Sequence, residues 1–203
     1  SYDIIIGDAY VEGGKCNLTH IVTEDVMTGE TYLLRALSAE LASMAVWLNV
    51  YRREFLRDNG LNFKFGILHE DEQFTPRCFL KANTVVYSGV FFYHYIIRPS
   101  SITTKPDKRK NATDLYNTCL ELEKIYNSLD NYKLKKLLKD SLVQKYLNMF
   151  QVGALYQYGK TYVHKKFIFR NAYKCRTRLK AMLYWLSPKL YYKINERSKR
   201  RNR

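Results

Sequence analysis

Several things are scarce in this 203-residue chain, and each scarcity excludes something. The longest apolar stretch, about residues 85–97, is interrupted by Ser88, Gly89 and His94 and is too short to span a bilayer. The nine glycines form neither G-x-G-x-x-G nor G-x-x-x-x-G-K, so no glycine-rich phosphate loop is present. No two aspartates are separated by a single residue, which removes the Asp-x-Asp metal motif. The four cysteines, Cys16, Cys78, Cys119 and Cys175, lie far apart in no zinc or redox spacing and fit idle thiols in a reducing compartment. The first residues carry no secretory signal pattern. Acidic residues are nearly absent from one region only: residues 160–203 hold 15 Lys+Arg and 1 Asp+Glu, net +14, while residues 1–159 hold 19 and 18, net +1. The chain's charge of +15 therefore belongs almost entirely to its last fifth.

What is present is concentrated in residues 65–82. Glu70, Asp71 and Glu72 stand immediately before an apolar helical pattern at Phe74, Cys78 and Phe79. Acids suit a helix N-terminus because the unpaired N–H groups there favour negative charge, and capping alone would account for an isolated triplet. A carboxylate fixed at an element boundary is also well mounted to act as a base.

The neighbouring segments give that triplet a context. Trp47-Leu48-Asn49-Val50-Tyr51-Arg52-Arg53 precedes it, and Tyr93-His94-Tyr95-Ile96-Ile97-Arg98-Pro99-Ser100-Ser101-Ile102 follows. In this order the three segments resemble bacterial glycosyltransferase family 2, whose capsule- and exopolysaccharide-building members carry a Trp…Tyr-Arg-Arg segment, a His-Glu-Asp-x-x-Phe-x-x-Arg segment and a Tyr-x-x-x-Arg-Pro-x-Ser-Ile segment. The resemblance covers roughly residues 1–104.

The resemblance implies an α/β fold: the acceptor half of a GT-A (Rossmann-like) glycosyltransferase domain over residues 1–104. A linker and helical hairpin then occupy residues 105–160, and a basic amphipathic tail residues 161–203. The activity implied is transfer of a hexose from a nucleoside-diphosphate sugar to a lipid-linked saccharide acceptor, by an inverting single displacement. Asp71 would be the catalytic base, with Glu70 positioning hydroxyls. Trp47 would form an acceptor wall, Arg98 and Ser101 would face the diphosphate, and His94 would bind substrate near the closing segment. His69 matches the family but is not expected to be catalytic. Trp47-Leu48-Asn49 departs from the family's Trp-Asn-Lys, which bears on acceptor selectivity. Family members begin with a nucleotide-binding half carrying Asp-x-Asp, so a divalent metal, manganese or magnesium, is expected in a full enzyme and none in this chain alone. The chain then reads as an acceptor-side piece, inactive by itself, of a cytoplasmic enzyme peripheral to the inner face of the cell membrane.

Local pattern supplies an expected element map. Asp3–Gly7 and Thr19–Thr23 read as strands around Gly13-Gly14. A helix is expected from Gly29–Glu30 through Leu33, Leu37, Leu41 and Met44 toward Trp47, and another from Trp47 to a stop at Asn59-Gly60. The acid-led helix should run to Ala82, followed by strands over 84–87 and 90–97. Residues 112–130 and 132–159 read as two packed helices.

In the tail, Ile168, Ala172, Cys175, Leu179, Met182 and Leu186 recur at helical spacing, with Lys174, Arg176, Arg178 and Lys180 off the stripe. Ser187-Pro188 reads as the start of a further helix. A basic amphipathic helix suits an anionic membrane surface, with those four cations as membrane-binding residues. The alternatives are a non-catalytic membrane-binding or interaction module, a helix packed on its own domain, and nucleic-acid binding, for which no reading motif is present.

Overall fold

The computed structural model describes residues 1–13, 20–97, 107–152 and 164–201. The chain divides into two units, Ser1–Pro106 and Asp107–Arg203.

The first unit is built on a three-stranded mixed sheet of order β2-β1-β3, where β1 is Ile4–Glu12, β2 Asn49–Tyr51 and β3 Val85–Ile96. The β-branched run Ile4-Ile5-Ile6 suits the central strand, pairing antiparallel with β2 and parallel with β3. A parallel pair needs a long crossover, and helices α1 (Gly29–Ala39), α2 (Arg53–Asp58) and α3 (Glu70–Lys81) supply it. Thr28 caps α1 by accepting the Thr31 N–H at 3.2 Å. Glu40, in the left-handed region, ends it. Gly29 allows α1 to approach α3 closely, since a Cβ there would lie 1.9 Å from the Phe79 carbonyl oxygen. Ile4, Leu33, Ala36, Phe74, Cys78, Phe79 and Val85 form the core.

Several expectations change. Residues 20–23 form no strand, and Thr19 and Gly14 lie outside the described residues. Both edges of β1 are already occupied, and among the described residues the outer edge of β3 takes an isolated bridge from Met27 to Val85. The helix expected to reach Trp47 stops eight residues earlier at Ala39, and Trp47 sits in a single 3-10 turn, Val46–Leu48, that leads into β2. The helix closed by Asn59-Gly60 is the short α2. The two strands expected over 84–97 are one, β3, because Gly89 at φ +68° accommodates a bulge: Ile6 faces Tyr87 and Asp8 faces Phe91.

In the second unit α4 (Arg109–Asn127) and α5 (Tyr132–Val152) form a hairpin packed through Cys119, Leu122, Leu134, Leu138 and Leu142. Residues 153–159 of the expected second helix lie outside the described residues. Asn131 caps α5 by accepting the Leu134 N–H at 3.1 Å. The Tyr146 hydroxyl donates to Glu123, and burial followed by that carboxylate raises the phenol's pKa. Among the described residues α6 (Lys165–Asn171), α7 (Cys175–Leu186) and α8 (Pro188–Arg201) follow. The tail stripe is thus divided. Buried Asp140 of α5 accepts the N–H groups of Tyr173 at 2.6 Å and Lys174 at 3.1 Å, capping α7 and separating it from α6. Among the described residues no helix is long and apolar enough to cross a membrane.

Candidate functional site

Of the expected site residues, Glu70 and Asp71 stand in the first turn of α3. His69 precedes that helix in the left-handed region, at φ 59° and ψ 46°, a conformation that costs a non-glycine residue about 1–2 kcal/mol. Its carbonyl accepts the Glu72 N–H at 3.1 Å, so the distortion starts the helix and fixes the direction of the first turn. Such strain tends to be retained where it positions a group.

Asp71 is the group so positioned. Its pKa is pushed up to about 6, first by burial and then by the charge of Glu72, against the Glu72 N–H that donates to its Oδ1 at 2.9 Å. A half-buried carboxylate poised at that value still ionises at neutral pH while holding a proton far better than an ordinary aspartate. Glu70, next to it, is exposed.

Tyr51 lies on the same side and was not singled out from sequence. Its hydroxyl accepts the Asn49 side-chain amide at 3.1 Å and its ring meets Phe74 edge-on at 5.6 Å. Burial is the first cause that raises its phenol pKa, and the charge of Asp71 is a further one. No spacing rule links residues 51 and 71; only the packing of β2 against α3 does.

Trp47 is half-buried and stacks with Tyr93 at 4.7 Å and Tyr95 at 4.9 Å, on a 3-10 turn that packs against α3. Part of its aromatic surface is therefore already engaged by β3. His94 is exposed on β3 and contacts Tyr10 at 5.2 Å between ring centroids. Arg98 and Ser101, expected at the diphosphate, lie outside the described residues.

A second polar group, also missed from sequence, joins Asp8, His20 and Tyr87. His20 Nε2 is 3.1 Å from Asp8 Oδ1, and the Tyr87 hydroxyl donates to Asp8 Oδ2. His20 Nδ1 is buried without a hydrogen-bond partner among the described residues. Asp8 and Tyr87, 79 positions apart, meet because β1 and β3 pair, and His20, outside both strands, joins them from a loop, so the sequence carried no signal for the group. Among the described residues no three His, Cys, Asp or Glu side chains are placed to hold a metal ion.

Comparison with known proteins adds a class to this geometry. The mixed α/β chain is similar in sequence to a glycosyltransferase and similar in fold to a protein crystallised with a nucleotide sugar. The first is the uncharacterized glycosyltransferase YibD of Escherichia coli (strain K12), 30% identical over 78 residues, which are 38% of this chain and 23% of YibD. The second is S. aureus TarS, residues 1–349, in complex with UDP-GlcNAc: all of this chain matches 60% of that one, with a TM-score of 0.59 and 17% identity. The chain thus spans about a quarter of YibD where the two match and three-fifths of the TarS chain. No family model matches.

Proposed function

We propose that the first unit is the acceptor side of an inverting family 2 glycosyltransferase. It would move a hexose from a nucleoside-diphosphate sugar to a lipid-linked saccharide during capsule or exopolysaccharide synthesis. The observation that carries this reading is Asp71: a carboxylate at a helix N-terminus, fixed by a strained residue, with a pKa of about 6. Similarity to YibD and to the fold of TarS supports the class.

In the proposed step the acceptor hydroxyl oxygen attacks C1 of the donor sugar as its proton passes to the Asp71 carboxylate, and the nucleoside diphosphate leaves with the bonding electrons. Glu70, exposed beside Asp71, orients acceptor or sugar hydroxyls. Trp47, with Tyr93 and Tyr95 behind it, offers a flat apolar edge to a sugar ring, whereas His94 projects from the opposite face of β3 beside Tyr10 and would meet substrate only from that side. Arg98 and Ser101 would meet the leaving diphosphate, where a forked guanidinium suits phosphate oxygens. A manganese or magnesium ion would neutralise the same charge when bound, through an Asp-x-Asp pair that this chain does not contain.

The test is Asp71→Asn in a chain that also carries a donor-binding half. Loss of a general base lowers turnover by roughly 10²–10⁴. Donor affinity should be unchanged. Unaltered turnover with a lowered melting temperature would make Asp71 a capping residue and nothing more.

A further inference from the structure

The stripe read in the tail as one helical face behaves differently once α6 and α7 are separated. Ile168 and Ala172 turn inward and are buried, while Leu179, Met182 and Leu186 of α7 are 69%, 53% and 80% exposed. The inward face of α7 is a different set, Thr177, Ala181 and Tyr184. Thr177 donates to Asp140 at 3.0 Å, and Tyr184 packs edge-on against Tyr191 and Tyr192 of α8. With about 3.6 residues per turn, Leu179, Met182 and Leu186 project roughly 180° from that inward set. α8 repeats the arrangement: Tyr191 and Tyr192 are buried, and Leu190 and Ile194, one turn apart, are exposed. Trp185, 42% exposed, meets exposed Phe169 of α6 at 5.1 Å between ring centroids, the rings tilted by 40°.

Cations border this apolar surface. Arg176 and Arg178 are exposed and fall on opposite flanks of the Leu179–Met182–Leu186 row by helical projection, and Arg178 Nε is anchored to the Ala172 carbonyl at 3.2 Å. They belong to the segment of net +14.

We propose that the outward face of α7, with Leu190 and Ile194 of α8, docks on an anionic lipid bilayer, its aliphatic row entering at headgroup depth and Arg176 and Arg178 meeting lipid phosphates. Two features select this occupant. A second copy of the chain would bring an equally cationic segment onto the face, so like charges oppose self-association. Nucleic acid would satisfy the cations but offers little to three exposed aliphatic side chains, whereas a bilayer takes both, each basic residue near the surface adding to the attraction. The inference rests on the second unit alone and stands apart from the transfer chemistry.

The experiment is flotation of the whole chain with phosphatidylcholine vesicles and with vesicles carrying phosphatidylglycerol. Binding is expected to the anionic vesicles only, weakening from low to high salt as screening shortens to about 8 Å at physiological ionic strength. L179S/M182S/L186S should lose binding with an unchanged circular dichroism spectrum, because all three side chains are exposed. R176Q/R178Q should reduce it by roughly tenfold or more. Binding to neither vesicle type, undiminished binding by the triple serine variant, concentration-dependent dimerisation that the triple variant abolishes, or salt-sensitive capture of RNA in preference to vesicles would each overturn the proposal.

Discussion

The Arg52 guanidinium donates to Asp3 Oδ1 across 2.7 Å, joining the residue that follows β2 to the one that precedes β1. The other oxygen of Asp3 accepts the N–H groups of Asn83 at 2.8 Å and Thr84 at 3.2 Å, just ahead of β3. One buried carboxylate therefore holds the ends of all three strands. Burial alone would raise its pKa, but the Arg52 hydrogen bond and the two N–H donors outweigh it, leaving Asp3 below the ordinary 3.8.

Asp3→Ala is expected to destabilise the first unit by about 2–4 kcal/mol, because two backbone donors and a guanidinium lose their acceptor. Urea denaturation followed by tryptophan fluorescence measures it. The folded pKa is depressed, so the contribution is complete above the unfolded value and is lost as pH falls through the folded one. The wild type and the alanine variant should converge in stability at the acidic end, below pH 3.8.

Gly29→Ala tests a close approach instead of a charge. The added Cβ would lie 1.9 Å from the Phe79 carbonyl oxygen and 2.7 Å from its carbon, both backbone atoms that cannot turn aside. α1 and α3 must then separate. Although alanine is the better helix former, a loss of about 1–3 kcal/mol is expected, and a stabilised variant would show that the helices part freely.

How much of this could be read from the sequence depended on how far apart the cooperating residues lie. The acid-led helix, Gly29 as a helix start and the Leu134–Leu142 face of the hairpin follow from local periodicity, and α3 and α5 begin where it places them. Local pattern failed where a distant partner intervened. The tail stripe keeps helical spacing from Ile168 to Leu186, yet Asp140, more than thirty positions earlier, caps a helix in its middle and turns the two parts to opposite environments. Likewise Thr84–Tyr87 and Val90–Ile97 read as two strands around Ser88-Gly89, whereas continuous pairing with β1 makes them one bulged strand. At the candidate site, Asp71 and Trp47 stand out by type, but Tyr51 and the Asp8–His20–Tyr87 group exist only through tertiary packing.

Asp140→Ala should therefore act on α7 specifically. Besides the two backbone donors, Asp140 Oδ2 accepts from Gln144 at 3.0 Å and Thr177 at 3.0 Å, so four donors lose one 1%-exposed partner. A loss of about 3 kcal/mol is expected. Amide hydrogen exchange over residues 173–186 should accelerate while amides of β1 and β3 keep their protection. Uniform acceleration across both units would mean that the cap has no local role.

Under the proposed function Asp71 would set stability against activity, and pH separates the two. Its folded pKa of about 6 exceeds the ordinary 3.8, so between those values the native state holds more proton than the unfolded chain. Stability contributed by the protonated form is complete below 3.8, declines as pH rises through 6 and is gone above it. Above pH 7 the half-buried charge costs on the order of 1–2 kcal/mol once solvent screening is allowed for. Asp71→Asn keeps the shape and an acceptor for the Glu72 N–H but carries no charge. The variant should melt higher than wild type at pH 8, and the difference should vanish near pH 4. Sugar transfer by a chain carrying a donor-binding half should show the opposite dependence: wild-type turnover falls as pH drops below about 6, where the base is protonated, and the asparagine variant is inactive throughout. Thermal melts at pH 4 and 8 decide the first part without any substrate. A variant that melts lower at pH 8 would assign the Asp71 carboxylate to holding the first turn of α3, with no burial cost relieved by its removal.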